Sequence, residues 1–227
     1  MLAHHGEFKM NWMRIEDLAA QSPLPEGYRY AQLRRDEIPA LMDFLATWFP
    51  EAAVGAASCY LRESFYHKRV FLEGECEKDV IVLLVKKEQE LIAMFSAERD
   101  QDTLALYGRL GVVAEAHRAM HLCESVIALT ETIGRSMGMG MAFGMATLHI
   151  PYMQIALEKL GFQLVGITPG YDREVVAPGV VKRVYEAIYA KSLVDADDLL
   201  LPRPENLTPK TKALFDSLFN PSPIAHG

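Results

Sequence analysis

GVVAEAHRAMHLCESVIAL (Gly111–Leu129) runs from a valine-ending strand through a short polar turn into a helix. After Val113 come Glu115, His117 and Arg118; Leu122, Val126, Leu129, Ile133 and Met137 then recur at the spacing of one helix face. Junctions of this kind hold phosphates, because the first amides of a helix are unpaired and stand at the positive end of its dipole. Such loops usually carry glycine, which lets an anion reach the backbone without meeting a Cβ. Here the turn holds Ala119, Met120, His121 and Cys123.

Upstream, three β-rich runs precede the junction: Val80–Val85, Leu91–Glu98 and Thr103–Val113. Short polar turns, KKEQE and RDQD, join them, which predicts an antiparallel meander. Downstream, Gly138 and Gly140 follow the helix and precede a strand, Met141–Leu148, so they read as a helix end and a turn. Ile150, Met153, Leu157 and Leu160 then mark a second amphipathic helix that stops at Gly161, and Phe162–Thr168 is a further strand. PGYD and APG flank a loop, and Val180–Lys191 fits strand or helix by pattern alone.

Residues 1–25 are poorly patterned and end in QSPLPEG. Tyr28–Arg35 reads as a short strand, Asp36 as the N-cap of a helix reaching Pro50, and Glu51–Lys68 as a second helical stretch. Residues 193–227 form a proline-studded tail with one short helix at Lys210–Phe219. Strands that begin as a meander and later alternate with helices predict an α/β domain with a mixed sheet.

At 227 residues the chain can bury one substantial core. A net charge of −7 argues against a general nucleic-acid binder, which needs a basic surface. No apolar run reaches the length of a membrane span. Cys59, Cys76 and Cys123 are scattered and odd in number, which fits reduced thiols and a cytoplasmic location.

From Gly111 to Gly166 the chain resembles the GNAT superfamily of acyl-CoA-dependent N-acetyltransferases. Two stretches carry the resemblance: the valine-ending strand followed by Arg118-x-x-His121-x-Cys123 at a helix start, and LEKLGFQLVG (Leu157–Gly166). The resemblance implies a GNAT-like mixed sheet of about six or seven strands flanked by about four helices, over residues 26–192, with 1–25 as an extension. It makes Val180–Lys191 the last strand. It also implies acetyl-CoA or another acyl-CoA as co-substrate, a small-molecule or peptide amine as acceptor, and direct attack in a ternary complex. Gly111, Val112 and Val113 would line the pantetheine arm, with a break or bulge at Gly111. Arg118, Ala119, Met120, His121, Leu122 and Cys123 would hold the pyrophosphate. Relatives are commonly dimers, and the tail could supply a homodimer contact.

The chain departs from the family at His121 and Cys123, where glycine or alanine is usual, and at Leu157, where many members carry an acidic tyrosine. These departures keep open a catalytically degenerate binding or regulatory module. Acyl transfer needs an unprotonated amine, so a base is sought. His149 has the best intrinsic chemistry and reads equally as a capping histidine. Glu98 is a second base candidate, and Tyr152, Tyr107 and Tyr171 are candidate acids. His117 and His121 lack the further ligands of a zinc motif, so no metal is expected.

Overall fold

The structure, a computed structural model, describes residues 10–120 and 122–220. Chain order gives α1 (Ile15–Gln21), β1 (Tyr28–Gln32), α2 (Ile38–Trp48), α3 (Glu63–Arg69), β2 (Val70–Phe71), β3 (Val80–Lys87), β4 (Glu90–Asp100) and β5 (Ala105–Val113). There follow α4 (Leu122–Ser136), β6 (Met141–Thr147), α5 (Tyr152–Lys159), β7 (Gln163–Ala177), β8 (Val180–Ser192) and α6 (Pro209–Phe219). Seven strands lie side by side in the order β1-β3-β4-β5-β6-β8-β7, and short β2 pairs with β3. The sheet is mixed as expected: β3, β4 and β5 form the antiparallel meander, and β5–β6 is parallel through the crossover helix α4.

The run VIVLLV is apolar throughout because β3 is buried on both faces. Ile81, Leu83 and Val85 join one core with Val126, Leu129 and Ile133 of α4, while Val80, Val82 and Leu84 join a second with Ile38, Leu41 and Leu45 of α2. α4 and α5 therefore cover one face, and α2 with the turns after it covers the other.

Three regions differ from the sequence reading. The poorly patterned N-terminal stretch contains α1, and Trp12 and Leu18 are buried in the first core. Glu51–Lys68 is not one helix: 3₁₀ turns at Pro50–Ala53 and Ala56–Leu61 precede α3, broken by Gly55 at φ +77°. β7 runs on through PGYD instead of ending at Thr168. Thr168 pairs with Glu186 and Asp172 with Val184, so Pro169–Tyr171 bulge opposite Tyr185, with Gly170 taking the positive φ.

The described residues from Val194 onward form a unit of their own. Its α6 matches the helix expected at Lys210–Phe219 and is N-capped by the Thr208 hydroxyl, which accepts from the Thr211 amide at 3.2 Å. Among the described residues, no helix is long and apolar enough to cross a membrane.

Candidate active site

β5 and β6 pair only at Ala105–Met141, Leu106–Ala142 and Tyr107–Phe143. Beyond Tyr107 the two parallel strands part, leaving one edge of β5 without a strand partner from Gly108 onward. A glycine follows the fork on each strand. A Cβ on Gly108 would meet the Thr130 hydroxyl of α4 at 2.8 Å, and one on Gly144 would meet Leu157 of α5 at 3.0 Å. The missing side chains let two helices close over the fork.

The fork opens into a groove of about 1830 Å³, lined by β4 to β8, the turns that follow α2, and residues of α4 and α5 such as Ile127 and Met153. The fork closes at the last strand pair, Tyr107 and Phe143, whose rings stack with centroids 5.2 Å apart, and this is the closed end. Its open end lies at His149, Tyr152 and the β7 bulge.

Glu98 stands at the closed end, where it pairs with Tyr107 across β4–β5. Arg69 donates to its Oε1 at 2.7 Å and Arg109 to its Oε2. Both oxygens are thus engaged by guanidinium groups. The ladder register slips here: Ala97 pairs with Gly108 and Ser96 with Leu110, so Arg109 is the bulged residue. The break expected at Gly111 lies instead at Arg109, whose guanidinium reaches back to Glu98. Gly111 continues the ladder opposite Phe95.

His149 and Tyr152 lie at the other end. His149 follows β6 by two residues and has 52% side-chain exposure, with Nδ1 3.1 Å from Glu174 Oε2. The tautomer with its proton on Nδ1 donates to that carboxylate and leaves Nε2 as the acceptor. Tyr152 begins α5 and is 75% exposed. The fold therefore separates the three candidate catalytic residues into Glu98 at one end and His149 with Tyr152 at the other. Leu157 does sit at the fork, where the resemblance expects a tyrosine, and supplies apolar packing with Met153 and Phe162. Of the candidate tyrosines, Tyr107 is the one at the closed end.

The turn after β5 is a 3₁₀ segment, Glu115–Met120, and α4 opens at Leu122. Val112 and Val113 are buried at the end of β5. Arg118 folds inward: its Nε donates to the Val113 carbonyl at 3.0 Å and its Nη2 to the Trp48 carbonyl at 3.5 Å. It ties the strand end to α2. Leu122 is buried, and burial pushes the half-buried Cys123 thiol up, which suits packing and not nucleophilic chemistry. His121 and the side chains of Ala119 and Met120 lie outside the described residues. His117 Nδ1 is 2.7 Å from the Tyr28 hydroxyl.

Glu186 was not singled out from the sequence. It lies on β8 opposite Thr147 and Thr168, is 8% exposed, and lines the groove. Burial, then the charges of Asp172 and Glu174, push its carboxyl up to about 7. The available signal was strand parity: Glu186, Ile188 and Ala190 share one face of β8, leaving one carboxylate in an apolar row.

No family model matches the chain, and no curated protein matches it. Many solved structures do. A spermidine N-acetyltransferase from Vibrio cholerae superposes with a TM-score of 0.58 at 11% identity, over 74% of this chain and 95% of that one. An N-acetyltransferase from Staphylococcus aureus gives 0.58 at 12%, over 74% and 99%. An IAA acetyltransferase from Bacillus cereus gives 0.52 at 11%, over 73% and 99%. With the forked β5–β6 pair, the crossover helix after it and the sheet order in view, the chain has the fold of the GNAT acetyltransferases.

Proposed function

We propose that the protein transfers an acetyl or short acyl group from acyl-CoA to an amine. The β5–β6 fork carries the reading. An extended amide-bearing arm can add to an unpaired strand edge as a further strand would, and β5 offers such an edge from Gly108 to Val113, beside Gly111 and Val112. The residues present fit that donor: without side chains at Gly108 and Gly144, α4 and α5 pack close behind the fork, and the amide end of α4, at Leu122 and Cys123, follows β5, where a pyrophosphate would be held.

In the reaction an acceptor ammonium first loses a proton. Its nitrogen then attacks the thioester carbon; the C–N bond forms, the C–S bond breaks, and the thiolate leaves with a proton. Binding both partners in one groove supplies most of the advantage, by orientation. Glu98 is the base nearest the closed end and acts by releasing one of its two arginines, with Tyr107 as the proton source for the thiolate. His149, held by Glu174, and Tyr152 line the acceptor's path, and His149 relays a proton through water. A cytoplasmic enzyme working as a homodimer is consistent with this reading.

A binding module without transfer is the second reading, favoured by the apolar Leu157 at the fork and by the inward-folded Arg118. Thermal unfolding with acetyl-CoA tests donor binding. Ligand at about 100 times its Kd stabilises by about 2.7 kcal/mol, a shift of about 5–10 °C for a chain of this size. A shift that ADP does not reproduce, followed by acyl transfer to a panel of amines, is the expected result. A shift without transfer selects the module, and no shift at millimolar acetyl-CoA removes the enzyme reading.

A further inference from the structure

We infer that the open end of the groove is a subsite for a second cationic group of the acceptor, built from Glu186, Asp172 and Glu174. The inference rests on the acyl-transfer reading for its distance argument and on the carboxylates alone for the binding itself.

Glu186 is the unusual member. It is 8% exposed, and no described residue donates a hydrogen bond to its carboxyl group, which lines the groove. An anion this far buried without a partner in the chain is costly, and its oxygens stay open to the groove, so a cation entering the groove can reach it. Its neighbours do not supply one. Asp172 accepts from the Ala56 amide at 2.8 Å and from its own neighbour Arg173 at 2.6 Å, and Glu174 faces His149. Glu51, from the turn after α2, and Arg173 line the same groove. Asp172 and Glu174 are the charged groups that act on Glu186, and both raise its proton affinity.

The subsite does not coincide with the reacting centre. Glu186 pairs with Thr147, four residues beyond the last β5–β6 pair at Phe143. At the rise of an extended strand this is about 13 Å from the closed end, and about 7–10 Å from a thioester seated between Gly108 and Met145. A cation held by Glu186 is therefore a different group from the amine under attack. The acceptor carries two positive charges joined by a flexible chain of about that length.

Calorimetric titration of the full chain, without donor, with 1,6-diaminohexane and with hexylamine tests this directly. The diamine is expected to bind at least about tenfold tighter, with the preference lost in Glu186→Gln and partly kept in Glu186→Asp. Between pH 6 and pH 8 the diamine's affinity is expected to rise about tenfold in the wild type, as Glu186 ionises, and to stay flat in the glutamine variant. Asp172→Asn, which keeps the Ala56 contact, is expected to weaken diamine binding while flattening none of the pH dependence of Glu186. Equal affinity for the two amines, or a preference untouched by Glu186→Gln, overturns the inference. The two failures are separable. Acetyl-CoA binding and transfer to hexylamine and the diamine with equal efficiency would retain the enzyme and remove the subsite. Diamine preference without any donor binding would retain the subsite and remove the enzyme.

Discussion

The two ends of the groove handle charge in opposite ways. At the closed end Glu98 is held by Arg69 and Arg109, so its charge is balanced within the chain. At the open end, among the described contacts, Glu174 meets only the His149 ring, and neither Asp172 nor Glu186 pairs with a cationic group. A balanced carboxylate is positioned, and an unbalanced one awaits a ligand. On the proposed reading, the difference puts chemistry at the fork and recognition at the β7 bulge.

The largest expected effect tests that division. Glu98→Gln should lower kcat/KM about 10²–10³-fold, within the range of a lost general base. His149→Ala should lower it less than about tenfold. The check is steady-state kinetics on both variants with one amine. A larger loss for His149→Ala would move the proton transfer to the open end and break the comparison.

The fork itself depends on packing. Leu157 is 3% exposed and covers Gly144. Leu157→Ala should cost about 2–4 kcal/mol, the usual cost of truncating a buried leucine, read by denaturant unfolding. Added acetyl-CoA should recover less stability in this variant than in the wild type if the emptied space loosens the fork.

At the open end, backbone geometry is the vulnerable feature. Gly55 sits at φ +77°, and a Cβ there would lie 2.3 Å from Asp172 Oδ1 and 2.5 Å from the Arg173 carbonyl. Gly55→Ala should cost about 2 kcal/mol, from the positive φ and the clash together. Because the Ala56 amide also holds Asp172, diamine binding should weaken in the same variant while acetyl-CoA binding persists. Loss of both would show that the two ends are not independent.

Which of these features could be read from the sequence follows from the range over which each is determined. The period of α4, the meander before it and LEKLGFQ are local patterns, and they carried the mixed-sheet reading and the resemblance. The bulge at Arg109 was expected at Gly111 instead, because glycine is the local signal for a break, whereas Arg109 meets Glu98 eleven residues away, a contact with no local signature. The Arg69–Glu98 pair joins residues 29 apart and carries no local signature. PGYD looks like a loop because proline and glycine usually end strands; here they form a bulge inside a long hairpin, and that bulge brings Asp172 into the groove. Glu186 became visible only once β8 was known to be a strand.

The smallest effect gives the most direct test of the unbalanced end. Glu186 holds its proton up to about 7 in the folded chain, against 4.5 for the ordinary group. Between those values the folded state binds more protons than the unfolded one, so stability falls as pH rises through the window and the cost is complete above it. Glu186→Gln removes that dependence. The variant should therefore match the wild type near pH 4.5 and exceed it at pH 8 by about 1–2 kcal/mol, less than the full shift because the groove admits water. Urea unfolding at the two pH values measures the difference. A saturating diamine should erase the gap by stabilising only the wild type, since a bound cation removes the penalty that glutamine avoids. If the gap is absent at pH 8 without ligand, Glu186 is already compensated within the fold, and the contrast between the two ends disappears.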